Sequence, residues 1–426
     1  RGESLREGET DKINTASDGM RHLINRIKDT NAPVEPDHLT RAMLRWYADN
    51  RRDELDLMLK AASYDNVQRP LSREAAKELY CRSDGSLSLS ASSIGSYMDC
   101  PFRYFIDRGL RPEEERTFAS DPRSVGDVYH ECLMAVARQI MKADEIPDDD
   151  SLEELVTAAL DELSQNYMGG LFVSAGSEEY RMSRIREICA SAAKAMASQL
   201  AAESVMSADF EQPFGRRAKF EPIRIKTGDG EVFVEGKIDR ADIIDVEGES
   251  RVRIVDYKTG SDSLDLWKMR QGYKMQLMIY LISATSGDLI PAGMFYFNIK
   301  DPIETLNDKS DKQTAALLEK EARDEFKLKG AFINEEGVLG AMPENVLSSA
   351  RNGISREEYE EVRADVIARI EETAEGILGG EIKINPLKAD NRLACGYCSY
   401  KSVCRRDRGY VKNSARALKP NPKEQE

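Results

Sequence analysis

The chain has 426 residues, 76 of them acidic against 61 basic, for a net charge of −15, and 41% of its residues are hydrophobic. That length holds two or three domains with real cores, and no apolar run approaches the length of a membrane span. A generally basic nucleic-acid binder is excluded, so any grip on a polyanion must come from a local patch.

The first 85 residues read as polar helix, with amphipathic stretches at "DGMRHLINRIKD" and "RRDELDLMLKAA". They carry no chemistry-bearing cluster, and His22 and His38 are expected at the surface. The serine-rich "SDGSLSLSASSIGSY" marks the expected boundary between a helical segment at 1–85 and a main domain at 86–426. Because the chain starts at Arg1, it is expected to be a piece of something longer. Beyond the boundary come "YMDCPFRYFIDRGL", with Cys100, and the amphipathic "SVGDVYHECLMAVARQI", with His130 near its start. A lone histidine in that setting is more often structural than a ligand. Residues 145–208 and 303–378 read as charged helices dressing a core, and the tail "KPNPKEQE" as disordered.

The centre of the chain, "VFVEGKIDRADIIDVEGESRVRIVDYKTG", reads as strands joined through a hairpin, with "DVEG" as the turn. A strand has a side-chain period of two, so Val252, Ile254, Asp256 and Lys258 share one face. A turn centred on Glu247 and Gly248 sets Asp239 opposite Asp256, where Cβ atoms lie about 5 Å apart and like charges repel. Two carboxylates at an apolar strand end point to a shared proton or a shared cation, and a divalent metal is the better match. With a lysine two residues on, the set suits metal-dependent phosphodiester hydrolysis. Hard oxygen ligands hold Mg²⁺ or Mn²⁺, the ion acidifies a water, and an ammonium stabilises the developing charge. Arg240 and Asp242 are expected to steady the strand. Downstream, "QGYKMQLMIYLISA" reads as an apolar helix with Gln276 and Tyr280 one turn apart on one face. Spacing alone leaves those two equally readable as satisfied core residues.

Seven cysteines in a chain without a secretory pattern argue against a disulfide framework. Three cluster in "CGYCSYKSVC", at Cys395, Cys398 and Cys404, one thiolate short of a tetrahedral set. The candidate fourth is the distant Cys100. Spacing does not separate zinc from an iron–sulfur cluster. Cys132 and Cys189 fall in helical patterns and read as small core residues; Cys81 is open. From Lys401 to Lys419, seven basic residues stand against Asp407 alone, which suits either a clamp for backbone phosphates or a solvated tail.

"EGKIDRAD" followed by "IVDYKTG" resembles the core of the RecB-type branch of the PD-(D/E)XK nucleases. The resemblance implies an α/β fold, a restriction-endonuclease-like mixed sheet flanked by helices, with helical insertions. It implies Asp239 and Asp256 as ligands of Mg²⁺ or Mn²⁺. Further implied ligands are His130, from a G-x-x-x-H element that starts at Gly126, and the Tyr257 carbonyl. Lys258 would position the attacking water or stabilise the transition state. Gln276, from the family's Q-x-x-x-Y helix, would orient Lys258 or the nucleophile, and Tyr280 would touch the DNA. Glu211 in "FEQPFG" is similar in place to an acidic residue ahead of the core strands.

A wider set of motifs narrows the resemblance. "CPFRYFIDRGL", the nuclease core, "PAGMFYFNIKDP" and "GEIKINPLKADNRLACGYC" occur in the order found in AddB-type nuclease domains, over about residues 86–412. Those domains belong to bacterial ATP-dependent helicase/nucleases of the AddAB type. There a distant cysteine and three C-terminal ones hold a [4Fe-4S] cluster, so Cys100, Cys395, Cys398 and Cys404 are its implied ligands. Also implied are exonuclease action on single-stranded DNA or unwound duplex ends, an ATP-driven AddA-like partner, and a cytoplasmic role in recombinational repair. The strand degraded would be the one ending 5′ at a break, and residues 1–85 would be the tail of a degenerate helicase-like region.

Two rival readings remain: a DNA-binding scaffold with vestigial nuclease residues, and a stand-alone RecB-like exonuclease, a type that is shorter and lacks the helical segment. "KTG" at 258–260 with "SAAK" at 191–194 imitates two penicillin-binding signatures, but no S-D-N lies between them. The chain carries no G-x-x-x-x-G-K-[ST] loop, so ATP hydrolysis must come from a partner.

Overall fold

A computed structural model of the chain describes residues 13–28, 37–62, 66–113, 122–143, 145–168, 176–260, 262–299, 326–342, 346–348, 352–390, 392–406 and 415–422. Asp407, Arg408 and Lys412 of the basic window lie outside the described residues, as do 301–325 and the end of the tail. The chain divides into two compact units. One comprises Arg1–Ala76, Ser96–Arg111 and Gly379–Lys419; the other comprises Lys77–Gly95, Pro112–Leu378 and the C-terminal residues.

In the first unit, helices α1 (Ala16–Lys28), α2 (His38–Asn50) and α3 (Arg52–Ala62) close around Leu23, Tyr47, Leu55 and Met58. The Asp37 side chain caps α2 by accepting from the Thr40 amide at 2.7 Å, which satisfies one of the unpaired donors of the first turn. His38 is exposed as expected. His22 is not: next to the fully buried Leu23, it is half-buried and its Nε2 is enclosed.

Further along the chain come α4 (Arg73–Tyr80), α5 (Ala91–Asp99) and α6 (Pro101–Tyr104), with β1 (Leu87–Leu89) between the first two. The second unit then supplies α7 (Pro122–Ile140), α8 (Asp149–Met168) and α9 (Gly176–Leu200). Strands β2 (Val205–Phe214), β3 (Ile223–Thr227), β4 (Gly230–Val234), β5 (Gly236–Val246) and β6 (Glu249–Lys258) follow. Next are α10 (Leu266–Arg270), α11 (Gln276–Ala284), β7 (Ile290–Asn298), β8 (Lys329–Ile333) and β9 (Asn352–Ile354). The main sheet has the order β2-β5-β6-β7-β8-β9, and β1, β4 and β3 form a smaller one. In the main sheet β6/β7 and β8/β9 are parallel and the other pairs antiparallel. The expected mixed α/β core is therefore present. Among the described residues no helix is long and apolar enough to cross a membrane.

The β5–β6 hairpin has the register read from its turn residues. Val246 pairs with Glu249, and Glu247 and Gly248 take φ of 55° and 90°, the pair of left-handed residues that a two-residue turn needs to match strand twist. Because β6 and β7 are parallel, the chain must cross over between them, and α10 and α11 do this. Helices α7–α9 bury one sheet face in a core that includes Cys132, Cys189, Met196, Val255, Phe295 and Phe297. The two cysteines are core residues, as their helical patterns suggested.

On that helix-covered face, Arg240, Asp242 and Arg253 are all fully buried. Arg240 grips Asp242 with two bonds, at 2.7 and 2.8 Å, and Arg253 Nε donates to the same carboxylate at 2.7 Å. Gln199 of α9 accepts from Arg240 at 2.9 Å and, through its carbonyl, from Arg253 at 3.3 Å. Burial alone would raise the Asp242 carboxyl, but the two guanidinium groups hold it below the usual range. These residues steady the strand pair, as expected from sequence. Two buried cations depend on one carboxylate, so Asp242→Asn should lose about 3–5 kcal/mol of stability, read by urea denaturation. A loss under about 1 kcal/mol would show that Gln199 and the backbone carry the cations alone.

Candidate active site

Strand β5 begins, and β6 ends, at the same end of the sheet. Their pairing runs to Arg240 opposite Val255, and the next step in that register sets Asp239 against Asp256. Asp239 Oδ2 accepts from the Tyr257 amide at 3.2 Å. Asp256 is fully buried, and neither of its carboxylate oxygens has a hydrogen-bond partner. Lys258 Nζ lies 2.6 Å from Oδ2, a charge contact without the alignment of a hydrogen bond. Burial, opposed by Lys258 and reinforced by Asp239, pushes the Asp256 carboxyl up to about 7. Burial would lower the Lys258 ammonium, but Asp256 outweighs it and keeps the lysine charged.

A relay of side chains fixes that lysine. Lys258 Nζ donates to Gln276 Oε1 at 3.0 Å, and Gln276 Nε2 donates to the Tyr280 hydroxyl at 2.7 Å. The amide is thereby oriented at both ends. Tyr280 is 7% exposed and meets Phe214 edge-on at 5.7 Å, so packing fixes the ring whose hydroxyl accepts from Gln276. Burial pushes the Tyr280 hydroxyl up.

Helix α7 brings His130 to the pair: its Nε2 is 3.4 Å from Asp239 Oδ2, and its ring stands edge-on to Tyr257 at 5.9 Å. Its hydrogen bond to Asp239 raises the imidazole against the effect of burial. One turn earlier is Gly126, where a Cβ would come within 3.2 Å of Thr259 Oγ1. A glycine there lets α7 lie close against the loop that follows Lys258. Glu211 falls opposite Asp239 on the neighbouring strand, between the pairs Phe210–Arg240 and Gln212–Ile238. Its carboxylate contacts Arg138 and takes Lys237 at 2.7 Å. Sequence reasoning missed both cations. Lys237 was findable, two residues from Asp239 on the same face; nothing flagged Arg138.

Neither Asp256 oxygen has an aligned hydrogen bond, and the Asp239 and His130 side chains adjoin it. Among the described residues no three His, Cys, Asp or Glu side chains close into a metal-holding group. The donor set fits a hard ion that takes one or two carboxylates and keeps most of its waters, as Mg²⁺ does.

The other predicted set lies in the first unit. Cys100 precedes α6, Cys395 lies within a 3₁₀ turn (Ala394–Tyr397) that Cys398 ends, and Cys404 ends a short helix from Lys401. All four are free, half-buried thiols. Burial raises Cys395 and Cys404; Arg406 opposes this, while Cys100 and the neighbouring thiols reinforce it, so the four lie within electrostatic reach. The Asn66 side chain holds the Cys404 carbonyl at 2.9 Å, and the Tyr400 hydroxyl donates to Asp107 at 2.6 Å.

Residues 88–405 match the family described as the PD-(D/E)XK nuclease superfamily. The chain belongs to the PD-(D/E)XK nuclease superfamily. This nuclease-family chain is 26% identical to the B subunit of the ATP-dependent helicase/deoxyribonuclease of Thermoanaerobacter sp. (strain X514), over 97% of its own length and 38% of the relative's. It is 29% identical to the protein of the same name from Caldanaerobacter subterraneus subsp. tengcongensis, over 93% and 36%. The Clostridium perfringens (strain SM101 / Type A) protein is 27% identical, over 98% and 38%. The chain thus spans little more than a third of the length of these relatives. The AddB-type resemblance read from the motifs extends across nearly the whole chain.

Gln276→Ala should misplace Lys258 and lower the nuclease rate by about 10²-fold, with a stability loss near 1 kcal/mol. An unchanged rate would return Gln276 to the core residues.

Proposed function

We propose that this chain is the nuclease part of a helicase/nuclease, using Mg²⁺ to hydrolyse phosphodiester bonds in single-stranded DNA or unwound duplex ends. The observation that carries the reading is Asp256: a buried carboxylate with no aligned hydrogen bond to either oxygen, set against Asp239 and in charge contact with Lys258. An apolar strand end gains no stability from that arrangement, whereas a cation and a phosphate would complete it. The names of the relatives support an ATP-driven, AddA-like partner and a place in the repair of broken DNA ends. The family resemblance supports exonuclease action on the strand ending 5′ at a break.

Asp239, Asp256, the Tyr257 carbonyl and His130 would hold the ion. Bound there, Mg²⁺ would neutralise charge on the scissile phosphate and acidify a water. Hydrolysis adds that water across a P–O bond: its oxygen joins phosphorus, and the leaving oxygen departs with a proton. Lys258, aligned by Gln276 and Tyr280, stabilises the negative charge that develops on the phosphate oxygens. Asp256→Ala should abolish cleavage with DNA binding nearly intact. Lys258→Ala should keep metal affinity yet lose several orders of magnitude in rate, read by single-turnover cleavage of a labelled strand. Normal turnover by either variant would remove the nuclease reading.

Cys100, Cys395, Cys398 and Cys404 would hold a [4Fe-4S] cluster, which takes four thiolates. Their freedom from disulfides and the electrostatic reach of Cys100, from the second piece of the unit, to the thiols of the third support it. Joining residues roughly 300 apart removes about 5–6 kcal/mol of unfolded-state entropy if treated as a cross-link, comparable to a domain's whole stability. Cys100→Ser should lose iron and its brown absorbance after anaerobic purification and open the C-terminal segment to proteases. Cys132→Ser and Cys189→Ser should keep full iron. Stoichiometric zinc in the parent protein would overturn the cluster.

A further inference from the structure

Glu211 has a left-handed backbone, φ 48°, a conformation that a non-glycine residue keeps only where its surroundings hold it. Two cations meet its carboxylate. Lys237 Nζ and Arg138 contact its two carboxylate oxygens, one each, and their side chains are 53% and 50% exposed against 22% for Glu211. Half-exposed ion pairs of this kind contribute little to stability, so the fold does not require them. Their placement is informative. Lys237 is two residues from Asp239 and shares its strand face, and Arg138 is carried by α7, the helix of His130. One carboxylate against two cations leaves a positive charge at the rim of the candidate site, in a chain of net charge −15. A guanidinium fork and an ammonium are the groups that bind phosphate oxygens best.

We propose that Arg138 and Lys237, braced by Glu211, form a subsite for a DNA backbone phosphate beside the one being cleaved. The subsite rests on the nuclease reading above and adds to it the groups that hold the strand in line. Glu211 keeps both cations extended and close together before the strand arrives, and the phosphate then takes the sides that face solvent.

The test is binding of a fluorescein-labelled single-stranded oligonucleotide to the full chain in EDTA, followed by anisotropy over a range of salt. Each phosphate contact to a single strand contributes about 0.7 to the slope of log affinity against log salt. The double variant, which removes the one phosphate contact, should flatten the slope by about 0.7, and Arg138→Ala and Lys237→Ala should each take a share of that loss. Arg138→Lys, which keeps the charge, should restore most of the slope. With Mg²⁺ present, the alanine variants should raise KM more than they lower kcat. A folded double variant with the parent's slope overturns the subsite. So does an Arg138→Lys variant as flat as Arg138→Ala, because the role would then be structural. Failure of the nuclease reading looks different: the parent chain would bind the strand but not cleave it, and the slopes would still decide the subsite.

Discussion

The site depends on the register between β5 and β6. Because strand side chains alternate, one turn geometry decides which residues meet on each side of the sheet. With Glu247 and Gly248 at the tip, Asp239 and Asp256 come together on one face, and Arg240, Asp242 and Arg253 on the other. A slip of one residue would turn every one of these charges to the wrong side. The buried Arg–Asp–Arg group opposes such a slip, since any other pairing would leave two guanidinium groups in the core without a counter-ion. A stabilising cluster on one face thus protects an arrangement of like charges on the other.

Much of this was legible in the sequence because it depends on short-range periodicity. The turn residues, the alternation along β6 and the one-turn spacing of Gln276 and Tyr280 each specify a local geometry, and the structure has all three. What could not be read depends on how distant elements meet. His22 is half-buried because of its neighbours in the helical bundle, which no local pattern announces. Arg138 reaches Glu211 only because α7 passes the edge strand, and the left-handed turn at Glu211 has no glycine or asparagine to give it away. Tyr280 was placable on its helix face, but its burial, and hence its role as an anchor for Gln276, came only from the packing around it.

The electrostatics run against stability at one point and with it elsewhere. Asp256 is buried beside a second carboxylate, and burial pushes its carboxyl up to about 7 even against the Lys258 ammonium. By contrast, Glu335 is held down to about 2, mainly by Arg356 with Arg251 assisting, at the end of the sheet where β6 begins. Counter-charges hold Glu335 ionised where only the fold is at stake, and a buried carboxyl is pushed toward its neutral form where chemistry is proposed. Such a division is the usual mark of a site whose last partners come from outside the chain.

The first compact unit is discontinuous: it takes residues from the start of the chain, from Ser96–Arg111 and from Gly379–Lys419. About 270 residues therefore leave the ribosome between its second piece and its third, which at roughly 5–20 residues per second occupies some tens of seconds. Through that interval the sheet and its helices can fold as an inserted body, while Cys100 waits without Cys395, Cys398 and Cys404. The piece that carries Cys395, Cys398 and Cys404 is thus made only after the sheet, and Cys100 before it.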